Sequence, residues 1–170
     1  MFLINTYIIY GAAGICQVKD IGNLKIEGME SKKLYYTLEP LHSKGGTIYT
    51  PVDNNKVVMR KIITKEDAWK LVQDVPNMEA ICAIDDKRCE QIYKELLKKY
   101  ECRDLVKLYK CLYLKKDQRN TKNKKLSALD NKYLNFTGDR LFEELALSLE
   151  MSRDEVEEII IEKMKAPAKG

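Results

Sequence analysis

The chain has 170 residues, 45% of them hydrophobic and 33% charged, and it carries a formal net charge of +4. This length fits one domain or two small ones, and the hydrophobic fraction is ordinary for a soluble globular protein. No apolar stretch approaches the roughly 20 residues that span a bilayer, and the start lacks a signal-peptide pattern, so we expect a cytoplasmic protein with no membrane contact.

Short runs rich in β-branched and aromatic residues follow one another through the first sixty residues. These runs cover residues 7–10, 15–18, 34–38, 47–49 and 57–59. Gly11 and Gly14 lie between the first two runs, where a turn needs backbone freedom. Five short strands in succession predict an antiparallel meander or a small barrel.

Helical spacing replaces the strand pattern after residue 63. Thr64 precedes an acidic first turn and predicts an N-cap, and the helix that follows should end at Pro76. A second helix is predicted from about residue 86 to residue 100, and a third from about residue 103, each with one apolar face. The predicted fold class is therefore α+β, with a small sheet module followed by a helical bundle.

The segment 115–125 is polar throughout and interrupts the apolar periodicity, so it predicts an exposed loop. Ser127, with Asp130 three residues later, predicts the N-cap of a fourth helix. Ser152 and Glu155 have the same spacing and predict the start of a fifth helix.

Positive charge is concentrated in the middle of the chain. Residues 86–132 hold 15 basic and 7 acidic side chains, whereas residues 133–170 hold 5 and 9. Such a cluster favours a polyanion, with salt-sensitive affinity that depends little on base sequence. Lysine predominates over arginine, so we expect contacts to the DNA backbone rather than bidentate contacts to guanine. A merely solvated surface is the alternative.

Neither a metal site nor an enzyme is indicated. The chain has one histidine and five cysteines, with no Cys-x-x-Cys pair, which does not suit zinc. It also lacks a phosphate-binding loop and a nucleophile motif. We therefore expect no cofactor, no small-molecule substrate and cysteines that are buried as free thiols.

Several motifs follow one another in a characteristic order along the chain. In the strand region they include Tyr10-Gly11-Ala12-Ala13-Gly14-Ile15, Ile48-Tyr49-Thr50-Pro51 and Met59-Arg60. In the helical region they are residues 115–118, 126–127 and 143–147. The order of these motifs resembles the CarD-like (CdnL) family of bacterial transcription regulators. The resemblance implies a Tudor-like barrel similar to the RNA polymerase-interacting domain of the transcription-repair coupling factor.

The resemblance also implies a domain organisation and a function. The polymerase-interacting barrel would cover residues 1–62, a linker helix 63–76, a helical DNA-binding domain 77–165 and a flexible tail 166–170. Such a protein would bind the RNA polymerase β subunit and promoter double-stranded DNA at the upstream edge of the bubble, and so stabilise the open complex. We expect a nucleoid-associated monomer.

Two sets of residues are candidates for these contacts. Leu24 and Tyr49 occupy positions that face the polymerase in the family, Lys25 lies beside the first, and Tyr36 is a second tyrosine to test. The DNA candidates are basic residues of the helical half: Lys87, Arg88, Lys107, Lys110, Lys115, Lys116, Arg119, Lys122, Lys124, Lys125 and Lys132.

One alternative function remains open at this point. The helical half would bind another polypeptide, and not DNA, if the lysines serve only solubility. Trp69, the one tryptophan, lies in the first predicted helix and away from the position of the minor-groove wedge in the family. We expect it to pack between the two modules.

Overall fold

The structure is a computed structural model that describes residues 1–26, 29–43, 45–81 and 88–169, without the side chains of residues 25–26 and 29–31. The chain divides into two units, Met1–Ile62 and Ile63–Gly170. In the described residues the first unit holds an antiparallel sheet and the second holds five α-helices. The α+β prediction is confirmed.

Five antiparallel strands form the sheet of the first unit. In chain order they are β1 (Tyr7–Tyr10), β2 (Gly14–Ile26), β3 (Met29–Pro40), β4 (Ile48–Pro51) and β5 (Met59–Lys61). Their order across the sheet is β4-β3-β2-β1-β5. In the described residues the sheet is therefore open, with β4 and β5 at its edges, and a closed barrel is not confirmed.

The second and third strands are much longer than the apolar runs that predicted them. Their pairing extends from Cys16 opposite Pro40 to Ile26 opposite Met29, with register shifts between Val18 and Asp20 and between residues 23 and 25. Each shift reverses the alternation of apolar and polar positions. The alternation of apolar and polar residues therefore ends long before the hydrogen-bonded pairing of β2 and β3 does.

One face of the sheet holds the core of the first unit. Its buried side chains are Ile8, Cys16, Val18, Tyr36 and Leu38. The turn between β1 and β2 requires glycine, because Gly11 has a φ of +44° and a Cβ there would lie 2.7 Å from Val57 Cγ1. Gly14 has a φ of +76°, also in the left-handed region.

Five helices form the second unit in the described residues. They are α1 (Lys65–Asp74), α2 (Cys89–Leu97), α3 (Cys102–Thr121), α4 (Ala128–Leu149) and α5 (Arg153–Lys165). The predicted N-caps are confirmed: Thr64, Ser127 and Ser152 each accept a hydrogen bond from the backbone N–H three residues later. No helix in the described residues combines the length and apolar character that crossing a membrane requires.

The first helix belongs to the helical unit and not to a separate linker. Ala68, Leu71 and Val72 lie in the core of this unit. The backbone of Ile63 is held by α4, since its N–H donates to Glu144 Oε1 (2.9 Å) and its carbonyl accepts from Ser148 Oγ (2.6 Å). Trp69, on the same helix, keeps 38% of its surface exposed.

The polar segment predicted as a loop is mostly helix. α3 continues to Thr121, so the loop prediction is wrong for residues 115–121. Lysine, glutamine and arginine are good helix formers, and an exposed helical turn needs no apolar stripe. The helix ends in a Schellman motif: Asn123 (φ 53°) donates to the Asn120 carbonyl, and Lys124 donates to the Arg119 carbonyl.

α3 and α4 approach each other closely at Gly138. A Cβ at this position would lie 3.0 Å from Tyr109 Cε2, so the aromatic ring of α3 takes the space of the missing side chain. The Tyr109 ring also packs edge-on against Phe142, with centroids 4.9 Å apart. Glycine therefore sets the spacing of the two longest helices.

The cysteines follow the prediction only in part. Cys16, Cys89 and Cys102 are buried thiols. Cys111 is also buried but is disulfide-bonded, so the expectation of free thiols throughout is wrong at this position. The wide spacing of cysteines along the chain gave no signal for a pair.

Candidate functional surfaces

In the part of the chain that the structure describes, no strand pairs with one side of β4, and we call this side the β4 edge (Ile48–Pro51). Val52 N–H donates to the Leu34 carbonyl at 3.0 Å, and in the antiparallel register Thr50 lies opposite Tyr36. Because hydrogen-bonded pairs alternate along an antiparallel ladder, the backbone groups of Tyr49 and Pro51 point away from β3. Proline has no N–H, and the Pro51 carbonyl already accepts from Asn54 N–H at 3.0 Å, so this edge offers the N–H and the carbonyl of Tyr49 to a partner strand.

The four polymerase candidates do not share one surface. Tyr49 is 55% exposed and lies on the β4 edge, whereas Tyr36 is buried in the sheet core. The Tyr36 hydroxyl accepts a hydrogen bond from Phe2 N–H at 2.9 Å, so it is satisfied inside the unit. Leu24 is half-buried on β2, with β3 between it and the edge, and the side chain of Lys25 lies outside the described residues.

Basic side chains gather where α3 ends. We call this surface the basic end of α3 and define it as Lys116, Arg119, Lys122, Lys124 and Lys125. The four lysines are exposed and Arg119 is half-buried. Arg119 Nη1 donates to the Lys125 carbonyl at 3.2 Å, which ties the helix to the segment that follows it. Asp117 is the one acidic residue between Lys116 and Lys125.

Lys115 is turned away from that surface. Its Nζ lies 2.6 Å from Asp130 Oδ2, and the Tyr93 hydroxyl donates to Asp130 Oδ1 at 2.9 Å. Burial alone would raise the pKa of Asp130, but the hydrogen bonds from Lys115 and Tyr93 outweigh it, so the pKa lies below its ordinary value. Contrary to the sequence prediction, this ammonium joins α3 to α4 rather than facing solvent.

Lys110 is buried, with 8% of its surface exposed. Its Nζ donates to the carbonyls of Val75 (2.9 Å), Pro76 (3.2 Å) and Met78 (2.8 Å), in and just beyond the 3-10 turn that follows α1. Burial lowers the pKa of this ammonium. A cation among helix-terminal carbonyls stabilises them, so Lys110 serves the fold and not the basic surface.

The remaining DNA candidates lie on three different segments. Arg88 is exposed just before α2, Lys107 is half-buried on α3, and Lys132 is exposed on α4. Lys132 Nζ lies 5.9 Å from the centroid of the Tyr133 ring. Lys87 lies outside the described residues.

Two lysines that the sequence did not single out lie close to Lys132. Lys94 on α2 and Lys98, which directly follows this helix, line the same cavity as Lys132, although about 35 residues separate them from it in the chain. Only the packing of α2 against the rest of the unit shows this neighbourhood. Among the described residues, no group of three or more histidine, cysteine or acidic side chains is placed to hold a metal ion.

A comparison with protein families identifies the first unit. Residues 2–63 match the family model of the CarD-like/TRCF RID domain, an RNA polymerase-interacting domain. The resemblance read from the strand region is therefore confirmed. The match ends at residue 63, so the likeness of the helical unit stays a prediction. No curated protein matches the chain.

Proposed function

Since the first unit of this chain is a CarD-like/TRCF RID domain, we propose that the protein is a transcription regulator that bridges RNA polymerase and promoter DNA. The sheet unit binds the polymerase β subunit, and the helical unit binds double-stranded DNA at the upstream edge of the bubble. One observation carries the proposal: the same chain holds a polymerase-interacting domain and a second unit on which exposed cationic side chains cluster. The regulator acts in the cytoplasm, as a monomer and without catalysis.

The β4 edge supplies the polymerase contact by strand addition. An added strand donates an N–H group to the carbonyl of Tyr49 and accepts from Tyr49 N–H. Each such bond contributes about 0.5–1.5 kcal/mol. The exposed Tyr49 ring adds apolar area beside these bonds. Leu24 and Lys25 remain candidates for a second contact on the sheet.

The basic end of α3 supplies the DNA contact. Exposed lysine ammonium groups are strongly hydrated point charges that neutralise phosphates without selecting a base. If all five cations engage phosphates, log K against log salt should have a slope of about −4 to −5. The Arg119 guanidinium also holds the Lys125 carbonyl, so the contact is positioned by the backbone.

Promoter opening is favoured through differential affinity. A protein that binds the open complex more tightly than the closed complex shifts the population toward the open form by that difference. A tenfold difference corresponds to about 1.4 kcal/mol. The expected measurable effect is a longer open-complex lifetime.

Two measurements test this function. The first is the lifetime of the open complex formed by purified polymerase, with and without the protein; an unchanged lifetime rejects the regulatory role. The second is a salt series of duplex-DNA affinity for the triple variant Lys122→Glu, Lys124→Glu and Lys125→Glu. The slope of log K against log salt should be shallower by about 3 in this variant than in the unsubstituted protein, because three phosphate contacts are lost.

A matched control reverses three lysines in and just after α5, Lys163→Glu, Lys165→Glu and Lys169→Glu. Net charge changes equally, so equal slopes in the two triple variants would exclude a localised DNA site. In that case the polypeptide-binding alternative becomes the better account of the helical unit. Polymerase binding by the sheet unit is judged separately, by the Tyr49 variant and its control described below.

A further inference from the structure

A cavity of about 280 Å³ opens between α2 and α4 in the second unit, with aromatic and lysine side chains around it. Its lining is Lys94, Leu97, Lys98, Tyr100, Lys132, Tyr133 and Phe136. Leu97 and Tyr133 are buried, whereas Tyr100 and Phe136 are half-buried. The cavity therefore has a buried apolar side and two rings that remain partly open to a ligand.

The rings of this cavity are held in place by their neighbours. The Tyr133 ring packs against Tyr93, with centroids 5.1 Å apart. The guanidinium of Arg140 lies over the Phe136 ring, 5.2 Å from its centroid. Ordered rings lose little entropy when a planar ligand stacks on them.

The charged lining of the cavity is entirely cationic, although carboxylates lie just outside it. Lys94 pairs with Glu90 at 3.0 Å, and Lys98 lies 3.8 Å from Glu95; both pairs are exposed contacts along one helix. Exposed pairs of this kind contribute about 0.3–0.5 kcal/mol to stability. A phosphate group can therefore replace the carboxylate as the partner of the lysine with little loss of free energy. Within the described part of the chain, Lys132 forms no ion pair.

We propose that this cavity binds one unpaired nucleobase of single-stranded DNA, with the lysines on its flanking phosphates. Stacking platforms next to a positive groove are the general mode of single-strand recognition. A volume at the lower end of ligand pockets, about 300 Å³, suits one base and not a base pair. The inference rests on the proposed function, because promoter opening supplies the single strand.

The test compares ligands on the full-length protein by fluorescence anisotropy. The ligands are a labelled oligothymidylate and a labelled duplex of equal length, with thymidine monophosphate as competitor. Phe136→Leu removes the ring and keeps an apolar side chain, so single-strand binding should weaken by about 5- to 30-fold. The duplex affinity should not change, and Phe136→Tyr should restore single-strand binding. Thermal unfolding checks that each variant is folded.

Lysine variants test the same cavity without touching the core. Lys132→Gln should weaken single-strand binding several-fold, whereas the matched control Lys165→Gln on α5 should not. Oligonucleotides with 5-iodouracil should crosslink to the tryptic peptide 133–140, which holds Tyr133 and Phe136. Crosslinks confined to residues 122–125 would place the single strand elsewhere and overturn the proposal.

The remaining outcomes separate this inference from the proposed function. If Phe136→Leu weakens single-strand and duplex binding equally, the cavity is not a base site. The same holds if the variant weakens neither kind of binding. If thymidine monophosphate displaces the labelled oligothymidylate at concentrations as low as those at which the unlabelled oligonucleotide does, the cavity is a free-nucleotide site. The single-strand proposal then fails. Neither result alters the duplex salt slope or the open-complex lifetime, on which the proposed function is judged.

Discussion

Lys115 and Asp130 form an ion pair between α3 and α4, with Nζ 2.6 Å from Oδ2. The Asp130 side chain is 3% exposed and also accepts the hydroxyl of Tyr93 on α2. One carboxylate therefore connects three helices. The sequence assigns Lys115 to a basic loop, but in the structure this lysine helps to hold α3 against α4 and so positions the basic end of α3.

Asp130→Asn should lower the free energy of unfolding at pH 7 by about 2–4 kcal/mol, because a buried pair loses its negative partner. The pKa of Asp130 is below its ordinary value in the folded protein. Its stabilising contribution is therefore present at neutral pH and is lost as the pH falls through the folded pKa, below about pH 4.

Urea unfolding of the Asp130 variant and the unsubstituted protein at pH 7 and pH 3 measures this linkage. The difference between the two proteins should shrink at the lower pH. Asp117→Asn on the exposed part of α3 is the matched control and should change stability by less than about 0.5 kcal/mol. A difference as large at pH 3 as at pH 7 would mean that the carboxylate charge is not the cause.

Lys110→Met should separate stability from DNA binding. Three carbonyls lose their shared donor, so the free energy of unfolding should fall by about 1–3 kcal/mol, while the salt slope of duplex binding stays the same. Lys124→Met on the basic end of α3 should do the opposite and reduce the slope by about 1. A shallower slope for Lys110→Met in folded protein would place Lys110 on DNA after all.

Tyr49→Asp should weaken binding of the chain to the polymerase β subunit by about tenfold or more, because it places a carboxylate in the proposed contact. Leu41→Asp is the matched control, since Leu41 is also an exposed apolar residue but lies beyond the end of β3. Pull-down or biolayer interferometry with purified β subunit gives the comparison. If both variants lose affinity for the β subunit equally, the β4 edge is not the polymerase contact.

Gly138→Leu should destabilise the helical unit by about 1–3 kcal/mol or more, because Tyr109 already fills the space beside this residue. Asn135→Leu, at an exposed position of the same helix, is the control and should be nearly neutral. Thermal unfolding of the two variants measures the difference. Similar melting temperatures would show that the α3–α4 spacing adjusts without cost.

The sequence predicted elements where local chemistry determines them. Thr64, Ser127 and Ser152 identify three helix starts because an N-cap needs only its own side chain and the next turn. Residues 7–10 match β1 because this run of β-branched and aromatic residues pairs with β2 without a register shift. The long β2–β3 hairpin was underestimated because its register shifts break the alternation from which strands are recognised.

Roles that depend on tertiary neighbours could not be predicted in the same way. Lys110 and Lys115 are indistinguishable from Lys116 in sequence, and only the carbonyls of the 3-10 turn and the Asp130 carboxylate give them structural roles. Tyr36 and Tyr49 differ likewise, because one residue faces the sheet core and the other lies on the opposite face. The family match, by contrast, depends on motif order, which the sequence carries directly.

The Schellman motif at Asn123 has a thermodynamic consequence for the lysines beyond it. Two backbone hydrogen bonds and the Arg119 contact already fix residues 122–125, so their main chain does not have to fold when a polyanion arrives. Association should then lack the large negative heat-capacity change of coupled folding and binding. Calorimetry of duplex binding should instead report a nearly temperature-independent enthalpy, the signature of a preorganised electrostatic surface.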